Sequence, residues 1–193
     1  MEEGTVWPFG RKPKPKTEAD WKALWQARQT ALESVLGPAD DGVFHSPIPF
    51  ELGGNADVLV FRHHVDGVVY CTADLIGDNS SRPNKNGQYE LVIATDDDSD
   101  WAPGLISSLA RYTTNAVLNP WDTMDIGPAL PQPTRVTAFL YVPYANLTVL
   151  EKRANLLLCL GITAAELKVR QKQGGPAVIE ARKAAGTYPL TVL

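Results

Sequence analysis

The sequence predicts an α+β fold, a mostly antiparallel or mixed β-sheet with helices packed on it. Three observations lead there. Apolar residues recur at helical spacing near the start, the middle and the end of the chain. Between these lie short β-branched and aromatic runs bounded by turn residues. The resulting order, α-β-β-β-β-α-β-β-β-α-α, fits a largely antiparallel sheet with helices laid on it, and no internal repeat interrupts it.

Residues 1–16 read as a flexible N-terminal tail, because in GRKPKPK proline alternates with cationic residues and favours extended, solvated backbone. A basic docking arm is the functional alternative. Residues 17–193 are then a single domain. Thr17 caps a helix reaching about Leu36, whose apolar face is Trp21, Leu24, Trp25, Leu32, Val35 and Leu36. Gly37-Pro38 stops it. Ser46-Pro47-Ile48-Pro49 suits an edge or extended entry segment, and Gly53-Gly54-Asn55 a turn. Val58–Phe61 and Val68–Tyr70 are strands joined at Asp66-Gly67, a hairpin signal. A polar loop over 77–87 leads to a strand at Tyr89–Ala94.

A helix is expected from about Asp100 to Val117, with Trp101, Leu105, Leu109, Tyr112 and Ala116 on its buried face and Pro103 tolerated in its first turn. Four prolines between 118 and 134 predict an ordered loop. Val136–Val142, Leu147–Leu150 and Leu156–Leu160 are strand candidates. Thr163-x-x-Glu166 is a capping box opening a helix to about Gln173, and Ala177–Ala185 is a last short helix.

Composition narrows the function. At 193 residues and 44% apolar content the chain can bury one real core. A net charge of −4 argues against a dedicated nucleic-acid binder. No run of 18 apolar residues marks a membrane span, and the first residues lack the apolar core of a secretory signal, so a cytoplasmic location is expected. Cys71 and Cys159 both sit in apolar runs and read as buried, reduced thiols; whether the two are close is not legible.

Catalytic chemistry finds little support. Asp96, Asp97, Asp98 and Asp100 suggest calcium, but an EF-hand-type loop needs a Glu at its twelfth position, where Ser107 stands. Helix capping and favourable charge at a helix N-terminus explain them better. His63 and His64 are neighbours that point to opposite faces of a strand, and no Cys or His cluster completes a zinc set. No metal or other cofactor is expected. No Gly-x-Ser-x-Gly elbow, dinucleotide fingerprint or phosphate loop is present. An enzyme is therefore not expected; a site scattered over His63, Cys71 and Asp74 is the residual alternative, one that burial of Cys71 removes. Better candidates are the loops Asp78–Gly87 and Leu118–Gln132, which carry Arg82, Lys85, Trp121 and Met124. Trp, Met and Arg are common interface anchors, though Trp121 and Met124 serve equally well to pin a long loop to the core.

YELVI at 89–93, Trp101 and LISSLARY at 105–112 together resemble the suppressor-of-fused domain family. Upstream, Asp57–Phe61 leading into Val69-Tyr70-Cys71-Thr72-Ala73 is similar to that family's paired strands and Thr-rich turn. Downstream, LLLCLGITAAEL at 156–167 is similar to its late strand, Ile-Thr turn and Glu-Leu helix start. The resemblance spans residues 20–185 and implies a protein-binding domain without catalysis. In animals the domain belongs to a two-lobed protein that sequesters a transcription factor, whose peptide adds a strand between the lobes. In bacteria similar single domains occur as immunity proteins of toxin systems. This chain resembles one lobe only, so a bacterial stand-alone member is implied, with another protein, such as a toxin domain, as partner and neither nucleic acid nor membrane bound directly. A peptide-binding scaffold using an exposed sheet edge is the alternative. The family turn has Gly and Ser after the Thr, whereas here Thr72 is followed by Ala73-Asp74, so no binding residues are carried across. Oligomeric state is not legible.

Overall fold

The computed structural model describes residues 17–77 and 81–193. The expected tail over 1–16 and the first residues of the expected 78–87 loop lie outside them. Helix α1 spans Glu18–Leu36. The Thr17 hydroxyl accepts the Asp20 N–H at 3.2 Å while the Asp20 carboxylate accepts the Thr17 N–H at 2.8 Å, a reciprocal cap that fixes the helix start. Gly37, at φ 85°, ends it.

The remaining elements are β1 (Val43–Phe44), β2 (Val58–Phe61), β3 (Val68–Thr72), β4 (Gln88–Thr95), α2 (Trp101–Tyr112), β5 (Thr123–Asp125), β6 (Val136–Val149), β7 (Lys152–Thr163), α3 (Ala164–Gln173) and α4 (Gly175–Ala184). Seven strands form one sheet in the order β1-β2-β3-β4-β7-β6-β5. All neighbours are antiparallel except β4 and β7, which run parallel through the centre.

Both faces of the sheet are covered. Leu24, Leu32 and Leu36 of α1, with Val178 and Ile179 of α4, pack on Leu59, Val69, Val92, Leu140, Leu158 and Leu160. Ala102, Ile106, Leu109 and Ala110 of α2 pack on Val60, Tyr70, Leu91, Ile93, Phe139 and Leu157. Central strands therefore lose the apolar–polar alternation of a half-exposed sheet; β2 and β3 are buried at every position. A sheet between two helical layers is the frame on which every candidate surface sits.

The element order matches the predicted string, but the members after α2 differ. Residues 123–125, expected as loop, are an edge strand paired with β6; three residues are too few to show a period. The two strands expected at 136–142 and 147–150 are one 14-residue strand. A register shift between Pro143 and Ala145 inserts an extra residue, a bulge that bends β6 without ending it. Pro143 shares the parity of Tyr141, whose N–H points away from β7 to the Asp122 carbonyl, so its missing donor breaks no bond to β7.

Helix α2 also departs from expectation. It ends at Tyr112 rather than Val117, and it buries Ala102, Pro103, Ile106, Leu109 and Ala110. The buried face is turned by about one residue, roughly 100°, from the expected one. The two alanines let the helix lie close on the sheet, while Tyr112 stays 48% exposed. Its cap is not an aspartate. Asp100 makes no capping hydrogen bond; the Ser99 hydroxyl accepts the Ala102 N–H at 3.2 Å, and Asp98 is drawn to Arg62 at 2.6 Å.

Candidate interaction surface

A buried polar network fixes the turn after β3. The β3–β4 ladder ends at Cys71–Val92. The Leu91 N–H then goes to the Thr72 hydroxyl at 2.9 Å, and that hydroxyl donates to Glu90 at 2.6 Å. The other Glu90 oxygen accepts the N–H groups of Leu75 and Ile76, both at 2.8 Å. Arg28, inside the apolar face of α1, donates to the carbonyls of Ala73, Asp74 and Ile76 and to the Asp74 carboxylate at 3.3 Å. Two carboxylates and one guanidinium thus satisfy a turn that would otherwise bury unpaired backbone. Burial raises Glu90 to about 8 despite Arg28 and three donors, and raises Asp74 to about 6.

Asp74 carries the network outward. Its second oxygen accepts the Asp57 N–H at 2.8 Å. The Asp57 side chain accepts the Ser46 N–H at 2.9 Å and meets His45 at 2.7 Å. Segment 43–52, which includes β1, is thereby stapled to the rigid sheet as its outer edge. Three large apolar side chains stand on that segment in solvent: Phe44 at 53% exposure, Ile48 at 54% and Leu52 at 77%. Phe44 leans edge-on to Tyr70, and a turn of 3-10 helix at Phe50–Leu52 buries Phe50 while projecting Leu52. Exposed apolar groups grouped on one rigid edge are what protein interfaces are made of. On the α1 side the same segment walls a cleft of about 390 Å³ containing Trp21, Trp25, His45 and Asp57.

The four residues expected as contacts are placed as follows. Arg82 and Lys85 are exposed on the loop before β4. Trp121, half-buried at φ 75°, lies against Gly175, and Arg170 donates twice to its carbonyl, at 2.6 and 3.2 Å. Met124 is half-buried under the α2 layer and accepts from the Tyr141 hydroxyl at 3.3 Å. The last two therefore pin the 118–132 segment to the domain. The edge residues Phe44, Ile48 and Leu52 were missed. Their signal was an apolar side chain at every fourth position, 44, 48 and 52, of a stretch interrupted by Pro47 and Pro49.

The scattered catalytic trio does not assemble. Cys71 is fully buried beneath α1, and burial pushes its thiol well above the ordinary value. His63 is exposed at the hairpin before β3, and Asp74 lies past the opposite end of that strand. Five residues of strand separate those ends, about 16 Å. Cys159 packs in the α2 layer while Cys71 packs in the α1 layer, with β4 between their strands, so the thiols do not pair. His64 meets the Tyr144 hydroxyl at 2.7 Å, and burial lowers its pKa. Among the described residues no group of three His, Cys, Asp or Glu is placed to hold a metal ion, and no helix is long and apolar enough to cross a membrane.

Comparison with known proteins adds to this geometry. The family model described as "Suppressor of fused protein (SUFU)" matches residues 55–192. A chain of the Sufu–Fu complex crystal structure superposes with a TM-score of 0.59 at 13% identity, over 94% of this chain and 91% of that one. The crystal structure of a SUFU homologue from Neisseria gonorrhoeae superposes with a TM-score of 0.62 at 15% identity, over 88% of this chain and 93% of that one. At such identities the likeness is one of fold. No curated protein sequence matches the chain.

Proposed function

The chain belongs to the suppressor of fused family, and from that premise we propose that it is a non-catalytic protein-binding domain acting by occlusion of its partner. The observation that carries the reading is the rigid edge segment presenting Phe44, Ile48 and Leu52 to solvent. Such a surface binds by burying apolar area and needs no reacting group. One solved structure of similar fold is a complex of Sufu with a second protein, Fu, which supports protein binding as the use of the fold.

The concrete form proposed is an immunity protein that covers the working surface of a toxin domain. A domain whose described residues bring no catalytic trio together suits that role, and a net charge of −4 would steer a basic toxin toward it. The test is co-expression with the products of adjacent genes. A stoichiometric complex and rescue of growth support the reading; a complex without rescue removes the immunity form and keeps protein binding. Strand addition is the second reading, favoured by β1 and β5, edge strands of two and three residues. It predicts extended-peptide binding that a proline in the peptide abolishes.

A further inference from the structure

We propose that the cleft at the turn end of the β6–β7 hairpin binds a carboxylate that carries a hydrogen-bond donor beside it, the chemistry of an N-acyl amino acid or of a peptide chain's C-terminus. The site goes beyond the protein-binding reading and does not depend on it, since β2, β3 and β4 stand between β7 and the β1 edge. Odd-numbered residues of β7 face the α2 layer, in which Leu157 and Cys159 are packed. Toward the turn the same face continues with Asn155 and Arg153, opposite Asn146 and Thr148 of β6. A cleft of about 610 Å³ opens there, with Asn86, Asn146, Thr148 and Arg153 in its lining, within the size range of ligand sites.

The observation that carries the proposal is the side-chain oxygen of Asn155. This residue interrupts the apolar run Ala154–Leu160 and is 3% exposed. Its amide nitrogen donates to the carbonyls of Gln88 at 2.8 Å and Asn86 at 3.4 Å. Two acceptors on that side fix the amide's orientation, because a flipped amide would set oxygen against oxygen. Oδ1 is therefore turned away from β4, on the side where β6 and the cleft lie. Among the described residues it is the one buried side-chain polar atom without a hydrogen-bond partner. A buried acceptor left without a donor is costly, so a donor from outside the chain is gained in full.

The lining decides what else that ligand carries. Arg153 is the one charged side chain in the cleft, and no carboxylate opposes it there. It is exposed, and among the described residues its guanidinium has no ion pair. A guanidinium fork matches a planar carboxylate. Arg153 and Asn155 lie two residues apart on one face, about 7 Å along the strand, a gap that a carboxylate and the N–H next to it bridge. The amides of Asn86 and Asn146 and the Thr148 hydroxyl both donate and accept, and so fit either part of the ligand. Asn146 and Arg153 are exposed side chains that turn to admit the ligand to Oδ1 while the strand ladder stays in place. A cation gains nothing from Arg153, and a carboxylate without a donor leaves Oδ1 unserved.

The test titrates three probes into the full chain and follows the side-chain amide resonances of Asn155 by NMR. N-acetylglycine carries both groups, its ester analogue acetoxyacetate replaces the N–H by oxygen, and N-acetylglycine amide removes the charge. The expected result is a saturable shift of the Asn155 amide with N-acetylglycine, binding about tenfold weaker with the ester, and no saturable shift with the neutral amide. Arg153→Gln, an exposed substitution, is expected to weaken N-acetylglycine about tenfold. In Asn155→Leu the acid and its ester are expected to bind alike; if that variant fails to fold, the Asn155 resonance of the parent chain still decides. Equal binding of acid and ester by the parent, equal binding of acid and neutral amide, indifference to Arg153→Gln, or no response at Asn155 overturns the assignment. The tetrapeptide acetyl-Ala-Ala-Ala-Gly separates the sources: tighter binding than N-acetylglycine places the carboxylate on a peptide chain, equal binding on a free acid, and either supports the site. Failure here leaves the apolar edge and its partner untouched, and loss of that partner leaves this cleft untouched.

Discussion

Glu90 is the residue on which the edge surface ultimately depends. It is a carboxylate at full burial inside the run Tyr89-Glu90-Leu91-Val92, and it holds the N–H groups of Leu75 and Ile76. Glu90→Ala leaves those two amides and the Thr72 hydroxyl without their partner and is expected to cost about 3–5 kcal/mol by chemical denaturation. Its titration has a definite sign. The folded state holds a proton up to about pH 8 that an ordinary glutamate, at 4.5, has already released. Stability therefore falls as pH rises from about 4.5 to about 8, and Asp74, raised from 3.8 to about 6, acts in the same sense over the lower part of that window. Glu90→Gln is expected to flatten the decline; an unchanged pH profile would contradict the assignment. Gly175→Ala tests a second residue, since a Cβ there would come within 2.3 Å of the Trp121 ring. A loss of about 1–3 kcal/mol is expected, with a shift in the Trp121 indole signal. Glu90 was readable in part. A lone charge in an apolar strand, like Arg28 in the apolar stripe of α1, signals a buried network, but its partners lie 14 to 48 residues away and only the fold brings them together.

Among the elements, capping was the most legible feature and one of the few misread. Thr17 and Thr163 both form reciprocal caps, because serine or threonine followed three residues later by an acid encodes that geometry locally. At α2 the run Asp96–Asp100 suggested a carboxylate cap, yet the chain enters the helix so that Ser99, not Asp100, faces the free N–H groups. Ser99→Ala is therefore expected to cost about 1 kcal/mol and Asp100→Asn less than about 0.5 kcal/mol; the reverse order in thermal melts would restore the aspartate cap. The strand β6 was misread for a related reason. Pro143 is a breaker in the one-dimensional pattern and an edge residue of the sheet, and the second property appears only once β7 is seen to occupy the other side.

For the whole molecule, the layer architecture was legible because both covering faces leave a periodic apolar trace, and the family match over 55–192 agrees with it. The proposed interaction surface was not. Loops carrying Arg82, Lys85, Trp121 and Met124 drew attention, but Trp121 and Met124 pack against the domain itself. The exposed apolar groups stand instead on a segment whose exposure follows from β1 being the sheet's outer strand. The most direct test of the account is co-purification of the full chain with the products of adjacent genes, compared with the variant Ile48→Asp/Leu52→Asp. Both side chains are more than half exposed, so the variant is expected to melt like the parent, within about 0.5 kcal/mol. The account predicts one stoichiometric partner that the variant no longer retains. A partner held equally well by both proteins would contradict the edge surface, and no partner at all would contradict the protein-binding function.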